Sequence, residues 1–166
     1  MLRRRLIKKL LSAYSDLEKI YERLDNLIRI ALIRAICFEE GIECCEERVT
    51  HRLESEYDVI AYSDAVNRRF EFYYKKVIKF LELFFQERYG IYICNTKELF
   101  DLCHQKEFIN DEELRDCIRL IEHIRLVRSR RNKIGDYVLT EGILFYTVLL
   151  NDLAERVGAH VKKLPQ

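Results

Sequence analysis

The chemistry of this chain concentrates in one short run, Arg128-Ser-Arg-Arg-Asn-Lys-Ile-Gly-Asp-Tyr137. Counted with Arg125, five basic residues fall within nine positions: Arg125, Arg128, Arg130, Arg131 and Lys133. Clustered cations neutralise phosphates, and a guanidinium can grip one through two parallel N–H groups. Asn132 adds a donor and an acceptor suited to a base or sugar edge. A basic run also suits the last turn of a helix, where it opposes the negative end of the helix dipole, and Gly135 could end such a helix. On composition alone that second origin is the commoner one.

The segment Arg131-Asn132-Lys133-Ile134-Gly135-Asp136-Tyr137 resembles the signature of the HEPN superfamily. That signature is an Arg, usually followed by Asn, then a His four to six positions on, with a Tyr often shortly after. A second stretch, Asp64-Ala-Val-Asn-Arg-Arg-Phe-Glu-Phe72, is similar to the helix opening of the nucleotidyltransferase substrate-binding branch of that superfamily. Thr96-Lys-Glu-Leu-Phe100 and Asn110-Asp-Glu-Glu113 follow in the expected order. The resemblance covers roughly residues 60 to 160, and loosely the first helix. The Arg-Asn motif is short and moderately specific, and the order of elements carries more weight than the motif.

The resemblance implies a helical bundle that forms a homodimer, binds a nucleotide or RNA, and pairs with a minimal nucleotidyltransferase in a toxin–antitoxin-like couple. The implied binding set is Arg128, Arg130, Arg131, Asn132 and Lys133. In active relatives the Arg–His pair cleaves RNA without metal, the His moving protons near neutral pH. In some pairs the transferase adds nucleotides to the Tyr after the His.

This chain departs from the pattern at the His. Counted from Arg131 the position falls on Asp136; counted from Arg130 it falls on Gly135, with Tyr137 then in the Tyr place. Both registers stand open, and neither supplies an imidazole. An ordinary carboxylate is ionised at pH 7, cannot donate a proton there, and repels phosphate. The degenerate pair Arg131 and Asp136 is therefore not expected to be an efficient ribonuclease. Tyr137 is the matching place for modification or nucleotide contact; the alternative is an ordinary packed aromatic. Two rival readings are an active metal-independent ribonuclease with a relocated base, for which His123 is the reserve candidate, and a helical dimeric scaffold with an incidental basic turn.

Other chemistries find little footing. Asp101 and His104 share i, i+3 spacing but not the paired Glu-x-x-His of di-iron bundles. The acidic group Glu39, Glu40, Glu43, Glu46 and Glu47 is irregularly spaced and reads as a solvated turn rather than a magnesium site. No C-x-x-C pair, glycine-rich phosphate loop or nucleophile elbow occurs, so no metal and no cofactor is expected. Cys94, Cys103 and Cys117 read as small buried hydrophobes, and the adjacent Cys44 and Cys45 as reduced thiols in a turn.

The elements that must hold the basic run are helices. Of 166 residues, 49% are hydrophobic and 34% charged, with five Gly and one Pro, Pro165. That composition suits one all-α domain over residues 1–166, an antiparallel bundle of four to five helices with a long first helix. Ile7, Leu10, Tyr14, Leu17, Tyr21, Leu24, Ile28, Ala31, Ala35 and Phe38 make one stripe with alternating steps of three and four, ended at Gly41. So regular a repeat resembles a coiled-coil seam, and it would also suit a dimer edge. Residues 42–62 read as a turn with a short helix. Ser63 reads as the cap of a second helix running to Tyr89, with Gly90 as its stop and Phe70, Tyr73, Tyr74, Val77, Leu81, Phe84 and Phe85 inside. Capping pairs Asn95/Glu98 and Asn110/Glu113 open helices of about 96–106 and 111–130. Thr140 reads as the cap of a last helix reaching about Lys162.

The formal net charge of +1 excludes a chain-wide polycation, so any nucleic-acid contact must be local. No apolar stretch approaches the roughly 20 residues that cross a bilayer. The basic start lacks an uninterrupted apolar core and a small-residue cleavage site, which leaves a cytoplasmic protein without membrane contact as the expectation.

Overall fold

A computed structural model describes residues 2–40, 56–129 and 138–163, with side chains over 5–31, 65–125 and 142–163. These residues form five α-helices: α1 (Leu2–Glu40), α2 (Glu56–Tyr89), α3 (Thr96–Gln105), α4 (Asp111–Ser129) and α5 (Val138–Lys162). The fold is the all-α bundle with a long first helix that the periodicity predicts.

Ring contacts fix the directions. Tyr14 meets Phe80 at 5.9 Å between centroids and Tyr21 meets Tyr73 at 6.0 Å. As the number rises on α1 it falls on α2, so the two are antiparallel. Tyr73 meets Asn151 and Phe84 meets His160, so α2 and α5 run parallel although both oppose α1. Helix α4 meets α5 through Glu113 with Arg156 and through His123 with Tyr146, again antiparallel. Helices α1, α2 and α5 thus make the main bundle. The α3–α4 hairpin covers one flank, with α3 packed on α2 and α4 on α5.

The α1 stripe is the buried face: Ile7, Leu10, Tyr14, Leu17, Leu24, Ile28 and Ala31 are buried. Tyr21 is only half-buried. The aromatic face of α2 is buried throughout, with Val66 and Phe80 added. Phe84, Phe85 and Phe108 form edge-to-face pairs that lock α3's end onto α2. Burying a ring of this size contributes roughly 1.5–3 kcal/mol, and each such pair about 0.5–1.5 more.

Helix ends agree with the sequence at some points and differ at others. Gly90 takes φ 69°, and its N–H donates to the Gln86 carbonyl at 3.0 Å, closing α2 in the left-handed conformation that glycine adopts without strain. Helix α2 begins at Glu56, so Ser63 lies inside it rather than capping it, and Asp64–Phe72 sits in its body rather than at its opening. The upstream residues Glu56 to Tyr62 hold no Gly or Pro, and nothing local stops the helix from extending back. Thr140 likewise lies within α5, whose first residue is Val138. Cys94 is exposed, not buried, because residues 90–95 form a non-helical connection across the surface; Cys103 and Cys117 are fully buried. The Cys44–Cys45 pair lies outside the described residues.

Candidate functional site at the α4–α5 end

Helix α4 stops at Ser129 and α5 resumes at Val138, so the basic run spans the end of one helix and the link to the next. Arg128 is on the last turn of α4, with its side chain outside the described residues. Arg130, Arg131, Asn132, Lys133, Asp136 and Tyr137 all lie outside the described residues. Arg125, one turn earlier, is exposed. The described geometry of the site is therefore its base: the seam between the second half of α4 and the first half of α5.

Three residues build that seam. The His123 ring on α4 stands 5.5 Å from the Tyr146 ring on α5, tilted by 55°. One turn before Tyr146, Gly142 lies so close that a β-carbon there would sit 3.8 Å from His123 Cε1. Gly142 and Tyr146 share one face of α5 because they are four residues apart. Burial holds the His123 imidazole below its ordinary value of 6.5, since a charge there would lose its water. The Tyr146 hydroxyl is pushed up, first by burial and then by the carboxylate of Asp116, so it remains a neutral phenol. Neither group is poised as a base at neutral pH by a partner: His123 Nε2 is buried and, among the described residues, has none.

The opposite end of the hairpin is held by ion pairs. Arg156 of α5 donates to Glu113 Oε2 at 2.9 Å, to Glu113 Oε1 at 2.5 Å, and to the Phe108 carbonyl at 2.9 Å. Glu113 is held below the usual carboxylate range, chiefly by the Arg156 hydrogen bonds, against the upward pull of burial. His104 Nε2 lies 2.8 Å from Asp111 Oδ1, joining α3 to the start of α4. An open groove of about 750 Å³ runs beside these pairs, walled by His104, Phe108, Asp111, Glu113 and Arg156. On its walls Arg156 pairs with Glu113 across α5 and α4, and His104 with Asp111 across the α3–α4 turn.

Sequence reasoning named His123 but not its companions Gly142 and Tyr146. Their i, i+4 spacing was visible, yet nothing local ties that face of α5 to a residue of α4. The pair Asp101 and His104 gains no ligand set; His104 turns to Asp111 instead. Among the described residues no three His, Cys, Asp or Glu side chains gather as a metal site. No described helix is long and apolar enough to cross a membrane. No family model, curated protein or solved structure matches the chain.

Proposed function

We propose that this chain is a HEPN-like protein that binds a nucleotide or RNA through Arg128, Arg130, Arg131, Asn132 and Lys133. It acts as a homodimer and as the partner of a minimal nucleotidyltransferase in a toxin–antitoxin-like pair. The observation that supports this reading is the concentration of cationic and amide side chains at one helix junction. Five basic residues between Arg125 and Lys133 run off the end of α4 into the link to α5. Over the whole chain the acidic and basic residues nearly balance, 28 against 29, so phosphate would be drawn by a local cluster such as this junction.

The reaction it does not perform efficiently is RNA cleavage. The family's proton-moving imidazole is replaced by Asp136 or Gly135, depending on register. Burial of His123 Nε2 in the α4–α5 seam argues against its serving as a relocated base through that nitrogen. That observation supports the binding reading over the ribonuclease reading.

Tyr137 is the acceptor in this scheme. Its phenol oxygen attacks the α-phosphorus of a nucleoside triphosphate held by the partner transferase, pyrophosphate leaves, and the phenol proton passes to solvent.

The deciding measurement is titration of fluorescent single-stranded RNA and of labelled ATP with the intact chain and with Arg130→Ala/Arg131→Ala. Loss of two phosphate contacts is expected to weaken binding by about tenfold or more at moderate salt and to flatten its salt dependence. Unchanged binding, or RNA cleavage that Arg131→Ala abolishes, would overturn the proposal. Intact mass after incubation with ATP and the transferase tests Tyr137, and no gain removes the acceptor role.

A further inference from the structure

The polar atoms inside this bundle find partners close at hand. Thr147, fully buried, donates its hydroxyl to the Ile143 carbonyl at 2.7 Å. Asn151 sits between the Tyr73 hydroxyl, at 3.5 Å, and Glu155, to which its amide donates at 2.8 Å. Among the described residues one buried side-chain nitrogen lacks any partner, and it is Nε2 of His123. An unpaired buried polar atom forfeits its hydration without return, so its retention in the α4–α5 seam calls for a physical reason.

We infer that His123 is a pH-gated latch on that seam. Neutral, it packs as an aromatic ring between α4 and α5; protonated, it pries the second half of α4 away from the start of α5.

The chemistry follows from the two ring nitrogens. A neutral imidazole carries one N–H and one bare acceptor nitrogen. With nothing to receive a proton's hydrogen bond, Nε2 is the nitrogen that stays bare, and the ring behaves as a weakly polar aromatic against Tyr146. Adding a proton there creates an N–H donor and a positive charge in an enclosed position that offers no acceptor. The residue as a whole is half-buried, so it is Nε2 that the charged form can hydrate only if the seam opens.

Among the described residues no neighbouring charge rescues the closed, protonated state. From α5 the described ionisable group facing the ring is Tyr146, a neutral phenol that His123 meets ring to ring. On α4 itself Asp116, Arg119 and Glu122 act on the Tyr146 hydroxyl. From α3, Cys103 interacts with Cys117 and His104 with Asp111, both more than a helical turn from His123 along α4. The downward shift of His123 accordingly has burial as its cause and no ion-pair contribution.

The sign follows directly. Because the folded value lies below the ordinary 6.5, the seam's stability is complete above 6.5 and is lost as pH falls through the folded value. The seam is short, whereas α1, α2 and α5 are held by an extensive core, so opening stays local. The helix ends it loosens are the two between which residues 130–137 run. The latch acts on those ends whatever that run binds.

The test uses the intact, isotopically labelled chain. The His123 ring is followed by NMR from about pH 7.5 to about 5, with hydrogen exchange measured over the same range. His123 is expected to titrate below 6.5. After correction for intrinsic rates, exchange should rise in residues 115–129 and 138–150 as pH falls from 6.5 towards the folded value, by at most about tenfold per unit, level off below it, and stay level throughout in 66–85. In His123→Phe, which keeps the ring and loses the proton, exchange across the seam should be flat with pH. A His123 value at or above 6.5 would show that a partner satisfies Nε2 and would overturn the latch. Seam exchange that is level in the native chain, or equally pH-dependent in His123→Phe, would overturn it as well. If His123→Phe does not fold, the native-chain titration and exchange decide alone.

Discussion

Arg156 on α5 clamps Glu113 on α4 through both carboxylate oxygens while Glu113 is itself closing the cap of its own helix. The Glu113 N–H donates to Asn110 Oδ1 at 2.9 Å, and the Asn110 N–H donates back to Glu113 Oε2 at 2.9 Å. The third Arg156 bond, to the Phe108 carbonyl, ties in the end of α3. One guanidinium therefore ties α5 to two places that are 43 and 48 residues from it in sequence.

Glu113→Ala removes a cap and a bidentate ion pair together and is expected to destabilise the fold by about 1–2 kcal/mol. Arg156→Ala leaves the cap intact and should lose about 1 kcal/mol. Because Arg156 is partly exposed, the coupling in a double-mutant cycle should stay near or below about 1 kcal/mol. Urea midpoints of the three variants check these values.

The same carboxylate carries an acid dependence. Its folded value is lowered beneath the ordinary 4.5 by Arg156, so its contribution is present above 4.5 and is lost as pH falls through the folded value. The stability gap between the native chain and Glu113→Gln should shrink on acidification through that window. A gap that widens there would contradict the assignment.

Two helical glycines of α5 should respond oppositely to alanine. A β-carbon at Gly158 would lie 2.4 Å from Tyr14 Cε2, in the tight crossing of α1 and α5. Gly158→Ala is expected to destabilise by about 1–3 kcal/mol, and Tyr14→Phe should not rescue it, since the clashing atoms are ring carbons. At Gly142 the nearest atoms would be 3.8 and 3.9 Å away, ordinary contact distances. Gly142→Ala should stabilise by up to about 1 kcal/mol from helix propensity alone. Thermal melts of the two variants provide the comparison.

Glu107 takes φ 62°, and the turn around it closes α3: its N–H donates to His104 and the Phe108 N–H to Cys103, both at 2.9 Å. A residue with a β-carbon costs about 1–2 kcal/mol in that conformation. Glu107→Gly should raise the unfolding midpoint, by about 1 kcal/mol after the extra freedom glycine gives the unfolded chain.

Thiol reactivity should divide the described cysteines. Cys94 is exposed and should react readily with a thiol reagent in the native state. Cys103 and Cys117 are fully buried; burial pushes the Cys117 thiol up to about 12 and Cys103 upward as well. Both should remain unmodified until the chain unfolds, which peptide mapping after brief labelling would show.

The helical stripes were legible because burial of a helix face repeats every three or four residues, and the α1 and α2 faces obey that repeat. Both capping boxes were legible for a related reason: their chemistry acts across three residues. Ser63 and Thr140 misled because a good cap residue is also tolerated within a helix, and the helical residues before each, Glu56 to Tyr62 and Val138 to Leu139, contain no breaker. Cys94 misled because apolar neighbours suggest burial, yet in an extended connection successive side chains point opposite ways: Tyr92 is 79% exposed while Ile93 is half-buried. The pairing of Arg156 with Glu113, and of His123 with Tyr146, had no local signal at all. Such pairs form only after the helices have chosen their neighbours. The cationic composition of the candidate site could be read directly from the sequence, and its described base could not.

The clamp at Glu113 gives α4 the mechanics of a lever. Anchored near its first turn, the helix runs on for 16 further residues to Ser129, about 24 Å at the rise of an α-helix. A tilt of about 10° about the anchored end would carry Ser129 through roughly 4 Å, comparable to the reach of a single ionic contact, while displacing Glu113 hardly at all.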